Sequence, residues 1–99
     1  MLDKLKQLQQ MKSQMDEVKQ RLDNIQVRGE AEGVVVVSNG NRKIVDVQVP
    51  DSILTADGKD VVEDLVLMAT NRALEQAEKV FESEMRSVAG GMMGGLGLF

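Results

Sequence analysis

The side chains that perform most protein chemistry are missing from this sequence. Its 99 residues include no Cys and no His, so it has no thiol nucleophile and lacks the commonest general base and metal ligand. It has no Trp or Tyr, and its two Phe, Phe81 and Phe99, offer little surface for stacking bases or small ligands. We therefore predict a binding or scaffolding protein that is not an enzyme and that uses no cofactor, no metal and no small-molecule substrate.

The strongest candidate for a metal site is a cluster of acidic residues. Its spacing lacks the alternating oxygen ligands around a central glycine that a calcium-binding EF-hand loop requires. Carboxylates at the start of a helix also complement the helix dipole, and Asp60 with Glu63 forms a variant of the capping box. We interpret the cluster as a helix start with Asp60 as its N-cap. Its members are Asp57, Asp60, Glu63 and Asp64.

The basic residues are concentrated towards the N-terminus. The net charge is −4 overall, but +2 over residues 1–28 and −6 over residues 29–99. Lys12 and Lys19 are seven residues apart and project from the same side of a helix, with Lys4 roughly aligned. These residues could contact phosphates, or they could serve only solubility and ion pairing, and the acidic total favours the second interpretation. Further basic residues open the first and third predicted strands: Arg28, Arg42 and Lys43.

Residues 2–26 are predicted to form one long helix. No Gly or Pro interrupts them, and from Leu8 onward the apolar residues are spaced by 3, 4, 3, 4 and 3. This heptad spacing over fewer than three repeats fits two arrangements equally well: a helix lying on a sheet, or a seam against a partner chain. The apolar positions are Leu2, Leu5, Leu8, Met11, Met15, Val18, Leu22 and Ile25.

Residues 27–49 predict a three-stranded antiparallel meander. Asn39-Gly40 is a strong signal for a type I′ hairpin turn, because both central positions of that turn take positive φ. Pro50 cannot donate to a strand ladder and ends the third strand. The valine run at 34–37 puts apolar groups on both faces of the middle strand, so the face without helices needs a second cover. On the third strand, one face carries Val45, Val47 and Val49, and the other carries Asp46 and Gln48.

A second long helix is predicted over residues 61–88. Five glycines in the last ten residues disfavour a helix, so residues 90–99 are predicted to form a flexible Gly/Met-rich tail. The sequence thus predicts an α+β fold with the order α-β-β-β-α, in a single domain of residues 1–89. The predicted buried stripe of the second helix is Val62, Leu65, Val66, Ala69, Ala73, Ala77, Val80, Phe81 and Met85.

The length of the first helix predicts a homodimer. At 1.5 Å per residue it would be about 38 Å long, whereas a seven-residue strand spans about 23 Å. The helix must therefore extend beyond its own sheet and carry apolar positions with it, and a second copy could cover them. The predicted dimer or core seam is Leu8, Met11, Met15, Val18 and Leu22.

The order of these elements and several short motifs resemble the YbaB/EbfC family of small bacterial nucleoid-associated proteins. The resemblance covers essentially the whole chain, and the joint order of the motifs carries it. It implies an α-β-β-β-α homodimer that binds duplex DNA with little sequence preference, organises the nucleoid and influences gene expression. The matching segments are Leu8-Gln9-Gln10-Met11 through Met15, Val27-x-Gly29-Glu30, Gly33-Val34-Val35-Val36, Asn39-Gly40, Val45-x-Val47-x-Val49-Pro50, Asp64-Leu65-Val66, Ala69-Thr70-Asn71-Arg72-Ala73 and the Gly/Met-rich C-terminus.

In that family, DNA contacts are attributed mainly to the long helices. The resemblance together with charge gives as DNA-binding candidates Lys4, Lys6, Lys12, Lys19, Arg21 and Arg28. Weaker candidates on the second helix are Arg72, Lys79 and Arg86. Phosphate would be repelled there by Glu75, Glu78, Glu82 and Glu84, so the first helix is favoured.

A second hypothesis is a dimeric protein–protein adaptor without direct DNA binding. Salt dependence distinguishes the two, because a phosphate-dominated complex weakens steeply with salt and an apolar interface barely responds. In either case the charged, amphipathic N-terminus predicts a cytoplasmic protein with no signal peptide, and the DNA-binding hypothesis places it in the nucleoid. No apolar run is long enough to predict a membrane partner.

Overall fold

The computed structural model describes residues 2–95 and confirms the predicted fold class. The three strands form one antiparallel sheet in the order β1-β2-β3. The elements are α1 (Leu2–Asp23), β1 (Gln26–Ala31), β2 (Val34–Asn39), β3 (Ile44–Gln48), a short 3-10 helix (Asp51–Ile53) and α2 (Lys59–Gly95). The molecule measures 66 × 23 × 16 Å, because both helices are far longer than the strands.

The first hairpin turns at Glu32 and Gly33. Both residues have positive φ, 47° and 93°, as the two central positions of a type I′ turn require. The turn sets a register in which Ala31 lies opposite Val34 and Gly29 lies opposite Val36. This tight turn, which was not predicted from the sequence, fixes which side chains of β1 and β2 share a face.

The second hairpin differs from the predicted turn. Asn39 is the last residue of β2, the connection spans residues 40–43, and the residue with positive φ is Arg42 rather than Gly40. Gly40 is required for a different reason: a Cβ there would lie 2.8 Å from the carbonyl oxygen of Leu22. The predicted type I′ turn at Asn39-Gly40 is therefore wrong, and the glycine instead allows the end of α1 to dock on the hairpin.

The core lies between α2 and the strands β1 and β2. The predicted alanine stripe is confirmed, since Ala69, Ala73 and Ala77 are fully buried. These small residues bring the helix so close to β1 that a Cβ on Gly29 would lie 2.1 Å from the Ala69 carbonyl oxygen. Leu65 is also buried, whereas the remaining stripe positions are half-buried: Val62, Val66, Val80, Phe81 and Met85.

The ends of both helices differ from the predicted ends. The first helix ends at Asp23 rather than at residue 26, and α2 begins at Lys59 rather than at 61. The amide of Val62 donates to the carbonyl of Gly58 at 2.9 Å, so Gly58 occupies the N-cap position. The prediction of Asp60 as the N-cap is wrong; it lies in the first turn, where its charge still complements the dipole.

At its other end α2 continues to Gly95, so the predicted end at residue 88 is wrong. Glycine costs a helix about 1 kcal/mol relative to alanine, which weakens the last turns without breaking the hydrogen-bond ladder. The predicted tail therefore begins as helix. Residues 96–99 lie outside the described residues, and the flexibility of residues 90–99 and the domain limit at residue 89 remain predictions. None of the helices within residues 2–95 is both long and apolar enough to cross a membrane.

Candidate nucleic-acid interface

Five of the six predicted DNA-binding residues lie on α1, and all five are exposed. At about 100° per residue, Lys12 and Lys19 project within about 20° of each other, and Lys4 lies within about a quarter-turn of them. Arg21 projects from roughly the opposite side of the helix. The structure thus brings the predicted lysines Lys12 and Lys19 together on one side of α1 and separates Arg21 from them.

Arg21 is bound to the second helix. Its Nη2 donates to Glu84 Oε2 at 3.1 Å, and this ion pair joins α1 to α2. The Arg21 side chain is still 55% exposed, so the pair contributes at most about 1 kcal/mol to stability. Its charge is nonetheless partly neutralised, unlike the charges of Lys12 and Lys19, which form no ion pair within residues 2–95.

Arg28 lies on a different part of the molecule. It is on β1, directly opposite Val37 of β2. Because Gly29, the next residue along β1, faces α2, Arg28 projects from the sheet face that α2 does not cover. A shallow groove on this open face contains Arg28 together with Asp46 and Gln48 of β3. Arg28 is therefore exposed but lies on a strand with a carboxylate nearby, whereas the lysines lie on α1.

The weaker candidates on α2 have mixed surroundings. Arg72 donates from Nη1 to the carbonyl oxygen of Glu30 at 2.6 Å, so it ties α2 to the edge of β1. Lys79 and Arg86 are exposed on the second half of the helix. Exposed acidic residues lie next to them along the helix, as the sequence predicted: Glu75, Glu78 and Glu82. The structure therefore gives α2 no predominantly basic face.

The predicted seam on α1 is divided into two parts. Val18 and Leu22 are 2% and 1% exposed, because the last turns of α1 pack on the rest of the chain. In contrast, Leu8, Met11 and Met15 are 62%, 43% and 41% exposed. The interpretation as a helix packed on its own core is confirmed for the C-terminal part of the stripe. The N-terminal part has no cover within residues 2–95, and a seam against a partner chain stays a prediction there.

A second exposed apolar surface lies on β3, where it was not expected from the sequence. All five residues of β3 are exposed, with Val45 and Val47 at 50% and 47%, because α2 packs mainly on β1 and β2. The central strand is better protected, since Val35 on the open face is buried and Val37 is half-buried. The valines that one chain leaves uncovered therefore lie on the edge strand β3 and not on the central strand β2.

The acidic residues form no metal site in the described part of the chain. No three carboxylates within residues 2–95 are grouped closely enough to hold a metal ion. Asp60 and Glu63 lie in the first turns of α2, and Glu63 Oε1 is 3.8 Å from Lys59 Nζ. Their arrangement is that of a solvated helix start.

Comparison with known proteins gives matches along nearly the whole chain. The sequence model of the YbaB/EbfC DNA-binding family matches residues 1–92. A nucleoid-associated protein of Chlorobium phaeobacteroides is 41% identical over 93 residues, covering 92% of this chain and 82% of the relative. Another from Clostridium kluyveri is 34% identical over 90 residues, covering 89% and 79%. The crystal structure of an uncharacterized Helicobacter pylori protein, at 24% identity and a TM-score of 0.64, covers 87% of this chain and 88% of that chain and supports the fold alone.

Proposed function

Because the chain belongs to the YbaB/EbfC DNA-binding family, we propose that it associates with the nucleoid and binds duplex DNA through backbone phosphates, with little sequence preference. The observation that carries this proposal is the pair Lys12 and Lys19, which are exposed on one side of α1 and form no ion pair within residues 2–95. Ammonium groups so placed neutralise phosphates without reading bases. Sequence-tolerant binding of this kind would organise the nucleoid and influence the expression of many genes.

The binding unit that we propose is a homodimer. A second copy related by a two-fold axis would cover apolar surface that one chain leaves exposed, on α1 at Leu8, Met11 and Met15 and on β3 at Val45 and Val47. It would also double the number of α1 lysines. Two weak contacts held in one body bind more tightly than either alone, which offsets the unfavourable net charge of −4 on each chain.

The proposed function is tested by fluorescence anisotropy with labelled DNA. Two duplexes of unrelated sequence and one single strand are titrated at two salt concentrations. We expect equal affinities for the duplexes, weaker binding to the single strand because the chain has few aromatic residues, and a steep loss of affinity with salt. A large difference between the duplexes would contradict sequence tolerance. Absent or salt-insensitive binding would contradict phosphate contact and favour the adaptor hypothesis.

The dimer is tested by the substitution Met15→Asp. A carboxylate buried without a partner in an apolar seam costs on the order of several kcal/mol, so we expect the variant to dissociate or to melt at lower temperature. Light scattering at micromolar concentration should give about twice the chain mass of 10.9 kDa for the wild type and the single chain mass for the variant. Ser13→Asp is the matched control, since Ser13 is exposed and projects about 160° away from Met15, on the side of α1 opposite the apolar stripe. A monomeric wild type, or a Met15→Asp chain that dimerises and melts as the wild type does, would refute the seam.

A further inference from the structure

The loop between β2 and β3, residues 40–43, is held rigidly although two of its side chains are exposed. All four of its backbone N–H groups donate hydrogen bonds within the chain. The amides of Asn41 and Lys43 bind the side-chain oxygen of Asn39 at 2.9 and 3.1 Å. The other two amides bind the carbonyls of Leu22 and Asn39 at 2.8 and 3.1 Å. Because these N–H groups are all occupied, the groups of this loop that can donate to a further ligand are its side chains.

The loop is also fixed to α1. The side-chain amide of Asn41 donates to the carbonyl of Lys19 at 2.9 Å and to Asp23 Oδ1 at 2.5 Å. These hydrogen bonds hold the loop against the last turns of α1, at the residue that provides one of the predicted DNA-binding lysines. The loop and this end of α1 therefore form one continuous surface.

Arg42 occupies a backbone conformation that its residue type disfavours. Its φ of 65° lies in the left-handed region, which glycine or asparagine adopts at lower cost than arginine. Its guanidinium carbon lies 4.6 Å from the centre of the Phe81 ring, so the head group stacks on α2 instead of moving freely. A stacked guanidinium keeps its in-plane N–H groups available to an anion. The side chain of Arg42 is thus exposed, oriented and kept at a strained position.

We propose that Arg42 and Lys43 form a second phosphate-binding element, which contacts the DNA backbone beside Lys19 of α1. This inference rests on the proposed function and adds a surface that lies on a loop and not on either long helix. Both side chains are exposed, and neither forms an ion pair within the described chain. The ligand chemistry is that of successive phosphodiesters, since a planar guanidinium and an ammonium at adjacent positions bind anions without reading bases.

Two acidic groups near the loop have partners within residues 2–95. Asp23 accepts the side-chain amide of Asn41, and Glu84, on the next turn of α2 after Phe81, pairs with Arg21 at 3.1 Å. Asp23 thus binds a neutral amide of the loop itself, whereas Glu84 is directed to Arg21 of α1. Arg42 and Lys43 form no ion pair with either carboxylate, so both side chains are available to an external anion.

The test compares three substitutions that each remove one positive charge: Arg42→Gly, Lys43→Gln and Lys59→Gln. Glycine adopts the φ of residue 42 without strain, so Arg42→Gly removes the cation while the loop keeps its shape. Lys59 is the matched control, because its side chain is 82% exposed and lies about 33 Å along α2 from Phe81. Each full-length variant is titrated with duplex DNA over a range of salt concentrations, and its thermal melting is followed by circular dichroism.

We expect the slope of log affinity against log salt to become shallower for Arg42→Gly and for Lys43→Gln, by about 0.9 for each phosphate that the variant no longer neutralises. The slope of Lys59→Gln should stay close to that of the wild type. If both loop variants bind as Lys59→Gln does while the wild type binds duplex DNA, the loop does not touch the DNA and the proposed function stands. If the wild type shows no salt-dependent binding to duplex DNA, both proposals fail. If Arg42→Gly melts at a lower temperature than the wild type, Lys43→Gln alone decides the outcome, since it leaves residue 42 and its positive φ unchanged.

Discussion

Replacing Gly29 by alanine is expected to unfold the chain or to lower its melting temperature by more than about 10 °C. The new Cβ would lie 2.1 Å from the carbonyl oxygen of Ala69 and 2.3 Å from the amide nitrogen of Ala73. Both atoms belong to the backbone of α2, so the clash is relieved only if the helix moves off β1. We expect a cost at or above the top of the range of about 1–3 kcal/mol for overpacking, in a domain whose total stability is about 5–15 kcal/mol.

Gly90→Ala provides the matched control for this prediction. Gly90 lies within α2, and a Cβ there would meet nothing within 4 Å. Alanine should be neutral there or stabilise the helix by up to about 1 kcal/mol. Thermal melting followed by circular dichroism compares the two variants. A Gly29→Ala chain that melts within a few degrees of the wild type would mean that α2 does not lie this close to β1.

Reversing the charge of Lys12 and Lys19 together is expected to weaken binding to all duplex DNA sequences alike. If both ammonium groups bind phosphates, the double substitution to Glu removes two neutralised phosphates per subunit, each of which contributes about 0.9 to the salt slope. The glutamates also repel the backbone, so the loss of affinity should exceed the loss from neutral substitutions. The measurement is an anisotropy titration on two unrelated duplexes, with the slope of log affinity against log salt as the readout.

The control for the lysine pair separates a local contact from a change in total charge. Lys12→Glu and Lys19→Glu are each compared with Lys59→Glu, which makes the same change of charge at the first turn of α2. We expect the two α1 variants to lose affinity and Lys59→Glu to lose little. Equal losses at all three positions would indicate a dependence on net charge alone. A double variant that binds as tightly as the wild type at low salt would exclude α1 as the contact surface.

The order of the elements could be read from the sequence because the patterns behind it are local. Apolar spacing of three and four residues predicts a helix, and alternation predicts a strand, wherever the element later packs. The alanines of α2 were predicted to be buried for the same reason, since residues four apart share one face. The prediction of a binding or scaffolding protein likewise rests on residue types alone, since the sequence has no Cys and no His.

The turns show where local signals were insufficient. Asn39-Gly40 has the composition of a type I′ turn, yet the chain places its positive φ at Arg42, because Asn39 is bound by two loop amides and Gly40 by the end of α1. The type I′ turn lies instead at Glu32-Gly33. Its sequence is less typical of such a turn, because Glu adopts positive φ less readily than Asn. The second turn therefore depends on its contact with the end of α1, which its own residues do not specify.

Only the tertiary structure decided which parts of each pattern are covered. The spacing predicts one continuous stripe on α1, but Val18 is buried and Met15 is exposed, because within residues 2–95 it is the last turns of α1 that pack on the rest of the chain. The valines of β3 alternate as regularly as those of a buried strand, yet they are exposed because α2 packs mainly on the other two strands. Spacing determines which residues share a face, whereas the lengths and crossing positions of distant elements determine what that face meets.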